Sequence, residues 1–315
     1  MARLSNIIHL LRCGIRNPRE TASLLNSSVS VMRSAQTGPR ETAKWLHLLE
    51  PLVREAQASP HEIASLLPLL VSGMQFGRGT IFAPQHQGYD GPQEACNPIL
   101  SYFNAHTEGP GVWKFLHYFD IYHRHFCKFV GREVHVLEVG IYSGGSLRMW
   151  REYFGKACRV YGVDINEACM AYKDEAIEVF IGDQADRSFW ARIKQAVPQI
   201  DILIDDGGHL PEQQRITLEE MLPYIAPGGV YLCEDILGVF NPFAAYIQGL
   251  ASGLNFESRV ETPENTPGLA FTSSNVQAAI SSIHLYPFAA VIEKREHNVD
   301  RLFAPKHGTQ WLEWR

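Results

Sequence analysis

The 315-residue chain has six cysteines, Cys13, Cys96, Cys127, Cys158, Cys169 and Cys233, and no two of them form a Cys-x-x-Cys pair. That scatter argues against a disulfide framework or a thiolate zinc site and suits a reducing cytosol. No run of about 18 apolar residues occurs, so no transmembrane helix is expected. Basic charge is not in excess either. The formal net charge is -6, whereas nucleic-acid binding ordinarily leaves a basic footprint. The opening stretch 1–12 is basic and amphipathic but lacks the continuous apolar core and cleavage site of a secretory signal. A helix packed on its own domain accounts for it better than a membrane surface does. Also missing are a Gly-x-Gly-x-x-Gly turn and a Tyr-x-x-x-Lys dyad, which disfavours a nicotinamide dehydrogenase.

What is present is an ordinary globular composition, 45% hydrophobic and 20% charged, long enough for one large domain plus an appendage. Residues 1–104 read as a helical auxiliary region that ends in a loop rich in glycine and proline. Pro18, Pro39 and Pro60 sit at helix starts, and Ser59 with Glu62 forms a capping box. The loop from Gly73 to Pro98 is long enough to be functional or disordered, and Arg78, His86 and Tyr89 are its candidates for reaching a substrate.

From residue 105 to 315 the pattern alternates between strand and helix. A helix over 113–129 precedes strands at 134–139, 159–164, 177–181, 200–204 and 230–233. Helices over 146–154, 187–196 and 211–225 separate the later ones. Continuous Val/Ile/Leu runs bounded by glycine and aspartate mark strands buried on both faces, hence a parallel, doubly wound α/β sheet. The runs 283–287 and 289–294 are too close for a helix between them and must pair antiparallel.

Such a sheet gathers its strand ends into one crevice, the usual ligand site. The first strand runs into Glu138-Val139-Gly140-Ile141-Tyr142-Ser143-Gly144-Gly145-Ser146. Its glycines admit a ligand to the backbone, and the helix that opens near Ser143, Gly144 and Ser146 offers free N–H groups. Asp164 ends the second strand, where an acidic side chain accepts ribose hydroxyls. Together these point to a nucleoside-containing cofactor; the plainer alternative is a tight turn beside a surface aspartate. Two further strands end in acid: Asp205-Asp206-Gly207-Gly208-His209 and Glu234-Asp235. Like charges at ~4 Å repel by about 4 kcal/mol per pair at an effective dielectric of ~20. A divalent cation, shifted protonation or separation must relieve that, and the cation is the reading adopted. Helix capping by Asp205 or Asp206 and a loop role for His209 are the structural alternatives. Asp205 itself stays ambiguous between metal neighbour and cofactor-pocket residue.

These residues resemble a known family. Glu138-x-Gly140, Asp164 and Gly182-Asp183-Gln184 are similar to the class I S-adenosylmethionine-dependent methyltransferases, whose seventh strand is inserted antiparallel. Asp205-Asp206-Gly207-Gly208-His209, Pro227-Gly228-Gly229-Val230-Tyr231, Glu234-Asp235 and Ser146-Leu147-Arg148-Met149-Trp150 look like the macrolide sugar O-methyltransferases of the mycinamicin and tylosin pathways. The likeness covers roughly residues 105 to 311. It implies a seven-stranded Rossmann-like sheet and an S-adenosyl-L-methionine site at Glu138, Gly140, Asp164, Asp183 and Gln184, with Asp205 a further candidate. It also implies magnesium (Mg2+) ligands at Asp206, Glu234 and Asp235, and His209 as general base. The family usually carries serine where Gly208 stands. The expected activity is metal-dependent O-methylation of a sugar or glycosylated small molecule by a homo-oligomer, with no nucleic-acid or membrane partner. A catechol-like acceptor and a non-catalytic nucleoside-binding protein are the rivals. Tyr118 and Tyr122 read as helix packing, His117, His123 and His125 as too poorly spaced for a helical metal site, Cys233 as a buried strand residue and His307 as a surface turn.

Overall fold

The computed structural model describes residues 97–262 and 267–310, together with 72–77 and positions 69 and 312. The chain divides into two compact units, residues 1–88 and 89–315. In the first, 72–77 are helical, where a loop was expected from Gly73. The expected N-terminal helices, Cys13, Cys96 and the loop candidates Arg78, His86 and Tyr89 lie outside the described residues.

The second unit is organised by a seven-stranded sheet. Strands β1 (Val134–Val139), β2 (Cys158–Asp164), β3 (Ile177–Ile181), β4 (Ile200–Asp205) and β5 (Ile225–Cys233) run parallel in the order β3-β2-β1-β4-β5. A tiny β6 (Arg259–Val260) and β7 (Gly268–Thr272) come next, then β8 (Ile280–Tyr286), β9 (Ala289–Lys294) and β10 (Arg301–Pro305). Strand β9 enters antiparallel between β5 and β8 and completes the expected doubly wound arrangement. Strands β6, β7 and β10 make a separate antiparallel sheet that the sequence pattern had not suggested.

The strands are buried on both faces because successive side chains alternate between two cores. Val136, Ile202, Ile204 and Leu232 face α2 (Tyr118–Phe126) and α3 (Gly145–Phe154), while α1 (Pro98–Ala105) adds Ile99 and Leu100 to the same core. Leu137, Leu203, Tyr231 and Cys233 face α4 (Arg187–Ala196), α5 (Pro211–Met221) and α6 (Pro242–Ser252). A short α7 (Asn275–Ala279) leads into β8. None of the described helices is long and apolar enough to cross a membrane.

Two helix boundaries differ from the sequence reading. The helix expected over 113–129 begins only at Tyr118 and passes into a 3-10 turn at Cys127–Phe129, while 111–115 are irregular. The side chain of Lys114 is drawn into the crevice, and the backbone that delivers it there cannot also wind the first turn. The helix expected over 211–225 stops at Met221, because Pro223 lies in a following 3-10 turn and Ile225 already begins β5.

Candidate active site

At the carboxyl ends of β1, β2, β4 and β5 the sheet opens into a cavity of about 630 Å³. Gly140, Ser143, Ser146, Asp164, Asp183, Gln184, Asp206, His209, Glu234 and Asp235 all line it. The acidic strand ends of β4 and β5 therefore do converge with the glycine-bearing turn after β1. Neither Asp205 nor Asp206 caps α5, whose N-cap position is Leu210.

Each part of the wall has a local cause. Gly140 has φ +82°, and a Cβ there would lie 2.0 Å from the carbonyl oxygen of Asp206. Only glycine lets the turn after β1 press against the end of β4, where the Asp206 N–H donates to Val139 at 3.0 Å. Gly144, also at positive φ, lies against the ring of Tyr172 and starts α3. Asp164 accepts the backbone N–H of Tyr142 at 3.1 Å and that of Asn166 at 2.9 Å. It thus ties the turns after β1 and β2 together at the cavity wall. Asp183 accepts the N–H of Ala185 at 2.8 Å.

Three expected cofactor residues stand behind the wall. Gly144 supports the turn from beneath. Asp205, 1% exposed, accepts from Gln184 Nε2 at 2.9 Å and from the Tyr231 hydroxyl at 3.3 Å. Gln184 also donates to Thr217 at 3.0 Å and accepts the Gly208 N–H at 2.7 Å. Asp205 therefore acts on the loop before His209 through Gln184. Burial, only partly offset by these donors, pushes its carboxyl up to about 6. Glu138, fully buried, accepts from Ser146 Oγ at 2.7 Å and from the Trp150 indole at 3.1 Å.

The sequence reading missed Lys114. Its side chain is 3% exposed, and Nζ lies 2.6 Å from Asp206, 3.1 Å from Glu234 and 3.4 Å from Glu138. Burial alone would push this ammonium down, but the charges of Asp206, Glu234 and Glu138 outweigh it and hold it well above its usual value. Glu234 moves up as well, chiefly through burial and despite Lys114. No local signal marks Lys114, since a lysine near a helix start ordinarily reads as solvated. The tyrosines of α2, read as packing, pack and also donate. The Tyr122 hydroxyl donates a hydrogen bond to Glu234 Oε1 at 2.7 Å and the Tyr118 hydroxyl one to Asp235 Oδ1 at 2.8 Å. Their spacing of four residues matches two successive carboxylates at the end of β5.

The outer part of the cluster is open. Asp206, His209 and Asp235 bring one ligand atom each within 4.8 Å of one another. His209 Nε2 is 3.7 Å from Asp235 Oδ2, and the imidazole is 40% exposed. Both residues have positive φ, +56° and +54°, a strained backbone of the kind that gathers at functional sites. A second group, His125, His284 and Glu293, is equally close. There His125 is bonded to Glu293 and to Tyr286, and Ser282 bridges His284 and Glu293. His117 bonds the Pro287 carbonyl and His123 the Tyr153 hydroxyl.

Residues 137–236 match the family model of a methyltransferase domain. The chain is 29% identical over 242 residues to mycinamicin VI 2''-O-methyltransferase of Micromonospora griseorubida, covering 69% of this chain and 58% of that protein. It is 30% identical over 204 residues to demethylmacrocin O-methyltransferase of Streptomyces fradiae, covering 58% and 50%. The solved MycE methyltransferase of the mycinamycin biosynthetic pathway, in complex with Mg and SAH, is 28% identical with a TM-score of 0.51, covering 63% of this chain and 54% of that one. The chain thus spans about half the length of the curated relatives it matches. Its fold is the seven-stranded, Rossmann-like type of the methyltransferases it resembles, and the family-model match lies within that fold.

Proposed function

We propose that this chain is an S-adenosylmethionine-dependent O-methyltransferase, assisted by magnesium, that methylates a hydroxyl of a sugar or glycosylated small molecule. The observation that carries the reading is one cavity walled by the glycine turn after β1 on one side and by Asp206, His209 and Asp235 on the other. The relatives named as sugar O-methyltransferases and the MycE complex with Mg and SAH support it.

In this reading Asp164 takes the ribose hydroxyls, while Asp183 and Gln184 face the adenine end. Glu138 supports the donor side through Ser146, which it holds in place. The donor sulfonium is already an electrophile, so the protein must position an alcohol oxygen in line with the methyl carbon and remove its proton. His209 Nε2 accepts that proton as the oxygen–carbon bond forms and the carbon–sulfur bond breaks, releasing S-adenosylhomocysteine. Asp235, held by Tyr118, faces the imidazolium that results and stabilises it. The donor set fits a small dication: Asp206 and Asp235 converge, and three carboxylates around one ammonium leave negative charge uncompensated. Asp206, Asp235 and Glu234 would hold the ion, which when bound makes neighbouring hydroxyls more acidic. The exposed side chains of Trp113, Phe115 and Leu237 give the cavity an apolar rim for the rest of a glycoside.

The test is product mass spectrometry with S-adenosylmethionine and a panel of glycosides and catechols. One added methyl on a glycoside supports the reading. Methylation of catechols alone would replace the acceptor class. Calorimetry showing no binding of S-adenosylhomocysteine would end the methyl-transfer reading altogether.

A further inference from the structure

We propose that Lys114 is a built-in cation which a divalent ion displaces, so that metal binding and withdrawal of the Lys114 ammonium from the crevice are one event. The inference rests on the reading of Asp206 and Asp235 as metal ligands. It concerns what must happen to Lys114 and Glu234 when that site fills.

Glu234 cannot serve as it stands. One of its oxygens accepts from Tyr122 at 2.7 Å and from Lys114 at 3.2 Å, and the other accepts from Lys114 at 3.1 Å. The group whose ligand atoms already converge is Asp206, His209 and Asp235, without Glu234. An ion held by that set would take His209 as a ligand and remove from proton transfer the only imidazole that lines the cavity among the described residues. Release of Glu234 from Lys114 frees a third carboxylate and leaves His209 available as a base. Lys114 and a dication would also share Asp206, whose Oδ2 lies 2.6 Å from Nζ. Two cations on one carboxylate repel, and the repulsion favours departure of the one carried on a movable side chain.

The segment that carries Lys114 is built to move. Residues 111–115 belong to no helix or strand. The side chains of Trp113, Phe115 and Leu116 are 88%, 45% and 42% exposed, while Val112 packs partly buried on the core, so Lys114 and Val112 are the inward anchors of an otherwise exposed strap. Both ends are fixed. The carbonyls of Pro110 and Gly111 lie so close to Gly145 that a Cβ there would come within 2.4 Å, and the Phe115 carbonyl accepts the Tyr118 N–H that starts α2. Withdrawal of the ammonium therefore costs no sheet or helix hydrogen bond. It also moves the neighbouring Trp113, which lines the cavity, so ion occupancy would reshape the rim that meets the acceptor.

Two measurements on the full chain test this, neither of which needs turnover. The first is a pulse of a lysine-acylating reagent, read by peptide mass spectrometry, with EDTA or with saturating magnesium chloride. Acylation of Lys114 should rise at least about fivefold with magnesium, while that of Lys173, at the surface, stays constant. The second is calorimetry with magnesium chloride on the wild type, Lys114→Gln and Lys114→Met. Either variant should bind the ion at least about tenfold more tightly, because nothing has to be displaced. The glutamine variant keeps polar contacts should the methionine variant fail to fold. If the wild type binds magnesium with Lys114 still protected, or all three bind alike, the displacement idea is overturned and the metal reading stands. If none of them binds magnesium, the metal reading falls and the displacement idea falls with it.

Discussion

Removal of the Tyr122 hydroxyl tests how the inner half of the acidic cluster is held. The ring is fully buried and Glu234 is 1% exposed, so no water can replace the 2.7 Å bond when Tyr122→Phe is made. A hydrogen bond to a charged group contributes about 1.5–3 kcal/mol, and a buried partner left unsatisfied forfeits most of it. Lys114 still reaches the same oxygen at 3.2 Å, which places the expected loss at about 2 kcal/mol. Tyr118→Phe is the internal control. Its hydroxyl bonds Asp235 at 2.8 Å, but that carboxylate is 25% exposed on the cavity wall and water can take over. The control should lose about 1 kcal/mol or less. Urea unfolding followed by circular dichroism, in EDTA, reads both. Equal losses, or a Tyr122→Phe loss under about 0.5 kcal/mol, would mean that burial does not separate the two carboxylates.

Asp205→Asn should make stability less dependent on acid. The folded carboxyl sits at about 6 against an ordinary 3.8, so the wild type is relatively most stable below the lower value and loses about 3 kcal/mol as pH rises through the upper one. The variant's advantage over wild type should therefore shrink by about 2 kcal/mol between pH 8 and pH 4.5 in EDTA; a constant difference refutes the raised carboxyl. Gly140→Ala forces a Cβ to 2.0 Å from the Asp206 carbonyl at a positive φ. It should cost at least about 3 kcal/mol in chemical denaturation, and a silent substitution would show that this close approach does not exist. His209→Ala should cut turnover at least about 100-fold while S-adenosylhomocysteine affinity stays within about threefold. Near-normal turnover removes the imidazole from proton transfer.

The parts of the fold legible in the sequence are those whose cause is local or periodic. Strands β1 to β5 announce themselves because both their faces are apolar and each parallel run ends at glycine or acid. The pairing of β8 with β9 follows from the two-residue gap at Pro287 and Phe288, too short for anything but a hairpin. Helix α4 has its bounds written in Asp186, which caps Ser188, and in the apolar Phe189, Trp190 and Ile193. The small sheet was not legible: β7 pairs with β10 across some thirty intervening residues, and neither strand shows a clean alternation. In the site, the carboxylates and His209 were legible because strand ends collect in one place. Lys114 was not, since its role depends on a contact 92 residues away along the chain.

Strand-end acids brought together repel, and the molecule meets most of that repulsion with its own groups. Glu138 has Ser146 and Trp150, Glu234 has Tyr122, and Lys114 stands among both and Asp206. Buried carboxylates supplied in this way are held in place by the protein's own donors. What faces the open cavity is the outer pair, Asp206, which shares Lys114, and Asp235, beside an exposed imidazole on a strained backbone. The physical case for a dication therefore narrows from four acids to two. Whether Glu234 joins them depends on Lys114, which makes that lysine the residue on which the chemistry of the whole crevice turns.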